Sequence, residues 1–152
     1  MSIDIVNILD SVVSHAMTSG LFDQVNTHEP KSSPGNGLHC AIWIDRVEPA
    51  RAQSGLDSTT IRLTINVRVY SNMVQEPQDA IDTNIVQAID VLMTAYSGDF
   101  ELGSEARNID LLGSTGPGLF AQAGYISQDS KMFRVMTILV PIIVNDVWLQ
   151  TA

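Results

Sequence analysis

Cysteine, basic residues and long apolar runs are all scarce in this chain of 152 residues. Cys40 is its single cysteine, which excludes an intramolecular disulfide. The N-terminus lacks the basic-then-apolar layout of a signal peptide, so we expect a protein of the cytoplasm. The longest apolar stretch, residues 132–144, is interrupted by Arg134, Thr137 and Pro141. It is too short to cross a bilayer, and we expect no membrane association.

The balance of charge excludes one broad class of partner. Lys and Arg number 8 against 17 Asp and Glu, which gives a net charge of −9. Sequence-specific nucleic-acid binding needs the opposite, a basic face that neutralises phosphates. Charged residues make up only 16% of the chain, below the roughly 25% of an average soluble domain. A surface with so little charge is often partly covered by another protein.

The residues that usually carry chemistry are few and badly spaced. His15, His28, His39 and Cys40 are the strong nitrogen and sulfur ligands, and none stands at an H-x-x-x-H or C-x-x-C spacing. His39 and Cys40 are neighbours on a predicted strand, so their side chains point to opposite faces and form a poor dyad. The segment GSTGPG, residues 113–118, lacks the lysine of a phosphate-binding loop and leads into a strand, which indicates a turn. We therefore expect no metal, no cofactor and no enzyme activity.

Hydrophobic periodicity predicts two helices. From Ile5 to Met17 the apolar residues recur every three or four positions, with Ser2 or Asp4 as the N-cap and Gly20 as the stop. A second helix begins near Pro77 and keeps one apolar face as far as Tyr96.

The clearest strand signal is a strict alternation of apolar and polar residues from Ile61 to Val69, which places Ile65 on a buried face. Further strands are predicted at residues 22–28, 38–47, 108–112, 119–127 and 131–144. The resulting order, α-β-β-β-α-β-β-β, predicts one α+β domain over residues 1–152 with a mostly antiparallel sheet and two helices packed on it. The strand at 131–144 is apolar on both faces, so it is either central or covered by another chain.

Two groups of polar residues are candidates for assembly. The long connections at 27–38 and 48–57 suit contacts with a neighbouring subunit. Their candidate interface residues are His28, Glu29, Pro30, Lys31, Pro34, Gly35, Gly37 and Arg51. Acids cluster in the middle of the chain and form either a solvated face or a surface that repels DNA and guides a basic partner. The candidates for an acidic surface or lumen are Asp99, Glu101, Glu105 and Asp110.

Several segments together resemble one protein family. After the N-terminal amphipathic helix they are HEPKSSPGNGL (28–38), RVY (68–70), EPQDAID (76–82), AYSGDF (95–100) and VPIIVNDVW (140–148). Over nearly the whole chain they resemble the tail terminator, or tail completion, proteins of long-tailed phages, in particular those of actinobacteria.

The resemblance implies an α+β subunit of a hexameric ring that caps the tail tube and joins it to the head-side connector, or stopper, protein. DNA would pass through the ring without specific binding, and acidic walls suit that passage. The protein would belong to the tail or neck of the virion and be assembled in the host cytoplasm. Two alternatives remain open at this point. One is another head-to-tail neck protein, and the other is a small-ligand module in which Trp43 and Trp148 line a pocket.

Overall fold

The computed structural model of the chain describes residues 3–28, 38–50, 58–72, 80–113, 116–128 and 130–149. Within these ranges two helices and six strands follow one another in the predicted order, which confirms the α+β class. The elements are α1 (Ile5–Thr18), β1 (Gln24–Asn26), β2 (Leu38–Pro49), β3 (Ser58–Asn72), α2 (Ala80–Gly98), β4 (Asn108–Ile109), β5 (Phe120–Gln128) and β6 (Lys131–Leu149). Neither of these helices has the length and apolarity that a bilayer-spanning helix requires.

The strands form one mixed sheet in the order β1-β2-β3-β6-β4, and β5 also pairs with β6. Only the pairing of β1 with β2 is parallel among the described strands; the others are antiparallel, as predicted. β5 and β4 follow one another along the same edge of β6, because β5 pairs with residues 131–139 and β4 with residues 142–143. The edge of the sheet on that side is therefore shared by two strands.

The main core lies between the two helices and one face of the sheet. The alternating residues of β3 from Ile61 to Val69 are fully buried there, and Ile65 is among them, as predicted. Helix α1 contributes Ile8 and Val12, and the carbonyl oxygen of Val12 accepts a hydrogen bond from the Tyr96 hydroxyl of α2 at 3.2 Å. Because the two helices also contact each other, they form one layer on this face.

Strand β6 lies between β3 on one side and β4 and β5 on the other, which is the first of the two interpretations left open for its apolar faces. Ile138, Val140 and Ile142 face the helices, whereas Phe133 and Val135 join a second cluster on the opposite face with Ala41 and Tyr70. On that face these side chains pack against their neighbours on adjacent strands, and among the described residues no helix lies over them.

β6 continues to Leu149, five residues beyond its predicted end. Pro141 lies within it, opposite Thr64 of β3, and its carbonyl oxygen accepts the backbone N–H of Asp110. Because the N–H and C=O of one strand residue point to the same side, the missing N–H of Pro141 faces the junction of β4 and β5 and leaves the ladder with β3 intact.

Candidate assembly surfaces

The described side chains that could act as nucleophiles or metal ligands do not form a reactive site. Cys40 is buried on the helix-facing side of β2, where burial raises the pKa of its thiol to about 12. A thiol held in its neutral form is a poor nucleophile. Within the described ranges, no group of three or more His, Cys, Asp and Glu side chains is placed to hold a metal ion.

His15 joins the ends of the two helices. Its Nε2 lies 2.9 Å from Oδ2 of Asp99, directly after α2, and its ring meets that of Tyr96 edge-on with centroids 5.6 Å apart. The other oxygen of Asp99 accepts the N–H of Gly103 at 3.0 Å. This backbone hydrogen bond, followed by the contact with His15, lowers the pKa of Asp99. Asp99 therefore holds the connection after α2 in place.

The four predicted surface acids occupy different environments. Glu101 is exposed and Glu105 is half-buried, both in the connection that follows Asp99. Asp110 departs from the expected acidic surface because it is only 3% exposed. Its Oδ2 accepts a hydrogen bond from Nη1 of Arg62 at 2.6 Å. A carboxylate is stable at a buried position when a cation compensates its charge, so Asp110 belongs to a buried ion pair.

The same ion pair anchors the loop between β4 and β5. Arg62 also donates a hydrogen bond to the carbonyl oxygen of Pro117, and Oδ1 of Asp110 accepts the N–H of Gly113 at 3.1 Å. Gly113 has a φ of +90°, and a Cβ at Gly118 would lie 2.6 Å from the carbonyl oxygen of Leu111. These glycines are consistent with the turn predicted for residues 113–118, of which residues 114–115 lie outside the description.

This tightly packed loop presents one leucine to solvent. The side chain of Leu112 is 98% exposed, the highest value among the exposed large apolar residues. Its backbone is held on both sides, by Asp110 and by the hydrogen bonds that Leu119 donates to the carbonyl oxygens of Asp110 and Leu111. Leu112 is therefore an apolar side chain on a well-held backbone that is available for a contact with another protein.

A trough crosses the sheet face that lies opposite the helices. It has a volume of about 320 Å³, and its lining includes Asn66, Arg68, Gln122, Gly124, Thr137 and Leu139. The Arg68 guanidinium lies over the ring of Trp43, 5.1 Å from its centroid, and Nε donates to Oγ1 of Thr137 at 2.9 Å. None of the ion pairs among the described residues involves Arg68. The trough thus holds an oriented cation without a carboxylate partner in the described structure.

The outward face of α2 is unusually poor in charge. The helix has 19 residues, and Asp82 and Asp90 are its only charged ones. Asp82 is engaged by Nε of Arg134 at 2.8 Å. Val86 and Val91, on the outward side near Asp90, are 52% and 41% exposed. A solvent-facing helix surface normally carries more charge than this, so this face has the composition of a contact surface.

The loop residues predicted from the sequence to form an interface fall mostly outside the described ranges. His28 is exposed at the end of the first range, whereas Glu29, Pro30, Lys31, Pro34, Gly35, Gly37 and Arg51 are not described. The predicted tryptophan pocket does not form: Trp43 pairs with Asn66 of β3 and Trp148 with Thr59. Seven residues of strand separate these two positions, about 23 Å at 3.3 Å per residue.

Sequence reasoning missed the Arg62–Asp110 pair, the Arg68 trough and the exposure of Leu112. One signal was present, because both arginines stand on the polar side of the alternating β3 strand. A strand that carries arginines between flanking strands must either pair them or present them at a surface. In the structure Arg62 is paired with Asp110, whereas Arg68 lies at the surface of the trough.

The chain matches no protein-family model and no curated protein. Among solved structures it is similar to the sheath/tube terminator of an extracellular contractile injection system, PVC, in its extended state, with a TM-score of 0.46 and 10% sequence identity. The similarity covers 100% of this chain and 60% of the other, so this chain spans less than two thirds of that protein's length.

Proposed function

We propose that this chain is a structural subunit that assembles with further copies into a ring at the end of a tail tube and joins the tube to a head-side connector. The observation that carries the proposal is the position of the exposed apolar side chains. Val86 and Val91 lie on the helix layer, whereas Phe120 and the loop of Leu112 lie on the other side of the sheet. Two different contact surfaces on one subunit generate head-to-tail assemblies, which close into rings when the rotation from copy to copy closes and otherwise form open filaments.

The tail location comes from the resemblance of the five sequence segments, and the charge of the chain supports it. A net charge of −9 per subunit disfavours retention of DNA that has to pass through a ring. We propose that Glu101 and Glu105, which are exposed and half-buried, belong to such a DNA-repelling surface. Asp99 contributes charge next to them while it is held by His15.

We further propose that the segment from His28 to Gly37, with Arg51, forms an arm that contacts the next subunit. The prolines at positions 30 and 34 restrict the free chain and thereby reduce the entropy lost on docking. Replacing residues 29–36 with a short Gly-Ser connection should leave a folded subunit that fails to assemble. Circular dichroism and light scattering measure the two properties separately, and normal assembly of the shortened protein would move the contact elsewhere.

Mass measurement tests the proposed function. The purified chain is examined by light scattering over a wide concentration range, alone and mixed with assembled tail tubes that lack their terminal ring. We expect a ring in at least one of the two conditions, seen by negative-stain imaging at the end of the tube. A chain that remains monomeric under both conditions would contradict the proposal. Binding to the connector without binding to the tube would instead identify a neighbouring neck protein.

A further inference from the structure

We infer that the outward face of α2 in one copy docks into the Arg68 trough of the next copy, with Asp90 paired to Arg68 across the contact. This inference rests on the proposed self-assembly and names the two surfaces that carry it. Among the described residues no ion pair involves Arg68 or Asp90, so the two surfaces offer opposite charges to each other.

The trough is prepared to receive a carboxylate. Arg68 is fixed from two directions, by the Trp43 ring beneath its guanidinium and by Thr137 at its Nε, which leaves the other two nitrogens directed elsewhere. Leu139 in the same trough supplies an apolar wall. An arginine that is already oriented loses less side-chain freedom on pairing than a free one does. The site therefore favours an acidic side chain flanked by small apolar groups.

The face of α2 matches that requirement. Val86 and Asp90 are four residues apart, and Gln87 and Val91 repeat the spacing beside them, so the four side chains form one patch. Asp90 takes part in none of the ion pairs among the described residues. Its patch presents one negative charge between two exposed valines.

The two surfaces lie on opposite sides of the subunit, as a head-to-tail contact between copies requires. α2 packs on the face of β3 that holds Ile65, whereas Arg68 projects from the opposite face of the same strand. In such a contact each copy binds one neighbour through α2 and the other neighbour through the trough, so the contact can repeat from copy to copy. It also places a helix on the face of the sheet that has no described helix, which completes a common layered arrangement.

Charge reversal tests this contact. Asp90→Arg lies on an exposed helix face and should fold normally, and Arg68→Glu changes the trough. Each variant alone should need at least about tenfold more protein to reach half-assembly than the unaltered chain, because like charges then meet at the contact. In an equimolar mixture of the two variants, every contact again joins unlike charges. The mixture should therefore recover assemblies, with alternating subunits and even copy numbers, in native mass spectrometry.

Asp10→Arg is the matched control, since it makes the same change of charge at an exposed position on α1. It should assemble like the unaltered chain. Arg68→Gln is a milder second variant, expected to weaken assembly while lowering the thermal melting temperature of the subunit by only a few degrees, since it removes the contacts with Trp43 and Thr137.

The outcomes separate the contact from the proposed function. Normal assembly of Asp90→Arg, or a mixture that stays monomeric although each folded variant has lost assembly, would overturn the contact alone. An unaltered chain that never self-associates would contradict both the ring and the contact. A ring that depends on both charges but does not bind tail tubes would support the contact and contradict the tail function.

Discussion

The two faces of the sheet differ in what covers them and in what a substitution there should do. On one face α1 and α2 cover the fully buried side chains of β3, and packing determines which residues are tolerated. On the other face, Arg62 is buried against Asp110, whereas Arg68 is presented in an open trough. The same strand thus supports the fold with one set of side chains and offers a surface with the other.

The largest effect is expected on the helix-covered face. Ile65→Asp places an unpaired carboxylate at a fully buried position and should cost at least about 4 kcal/mol, a large part of a typical stability of 5–15 kcal/mol. We expect an insoluble or unfolded protein in circular dichroism. Gln122→Asp, an exposed position on the other face, is the control and should melt within a few degrees of the unaltered chain. Cooperative melting of soluble Ile65→Asp would show that the two faces have been assigned in reverse.

The next effect concerns the buried ion pair of the other face. Asp110→Asn removes the buried carboxylate nearest to Arg62, leaves the more exposed Glu48 at 4.0 Å, and should lower the free energy of unfolding by about 3 kcal/mol. Urea denaturation measures the loss. Asp45→Asn, which weakens the exposed pair with Arg46, should cost no more than about 0.5 kcal/mol. If the two variants lost the same free energy of unfolding, the buried pair would contribute no more to stability than the exposed one.

Much of this comparison follows from sequence periodicity. The alternation of β3 predicts which side of the strand meets the helices, and the three-to-four spacing from Ile5 to Met17 predicts α1. Those patterns are local and reflect the side on which apolar residues are buried. The end of β6 was harder to predict, because the residues after Val144 continue the strand through pairing with Ser58 and Thr59 of β3, which are distant in sequence.

The second face depends on partners that are distant in sequence. Asp110 is 48 residues from Arg62, and nothing near either residue indicates their contact. Because Asp110 follows a cluster of acidic residues in the sequence, it was predicted to lie at the surface with them. Likewise, the Arg68 trough needs Trp43 from β2 and Thr137 from β6, and the register of three strands determines that arrangement. A single sequence contains the residues but not that register.

Leu112 offers a way to separate the surface from the fold. Leu112→Ser should change the free energy of unfolding by less than about 0.5 kcal/mol, since the side chain is 98% exposed. If the loop is a contact, the variant should still fail to join tubes or rings in sedimentation and imaging. Gly118→Ala is the contrasting change. Its Cβ would clash with the Leu111 carbonyl oxygen, so this variant should lower the free energy of unfolding. Assembly of Leu112→Ser at the normal level would exclude this leucine from the interfaces.

A small effect on stability is also expected at the contact between His15 and Asp99, the clasp that joins the ends of the two helices. Asp99→Asn removes a carboxylate whose pKa is lowered by the Gly103 N–H and by His15. A carboxyl group with a lowered pKa in the folded state stabilises it fully above its unfolded pKa, and that stabilisation is lost as the pH falls through the folded pKa. Because the pair is partly exposed, we expect a loss of about 0.5 kcal/mol at pH 7, measured by urea denaturation.

This difference should shrink once the pH drops below the ordinary value of 3.8. Asp23→Asn, the same substitution at an exposed position before β1, is the control and should unfold in urea like the unaltered chain at pH 7. A difference between Asp99→Asn and the unaltered chain that stays constant down to pH 2 would mean that the lost contribution does not depend on the charge of Asp99. The clasp would then act through the shape of the connection after α2, in which Gly103 donates its N–H to residue 99 and residue 99 contacts His15 in the last turn of α1.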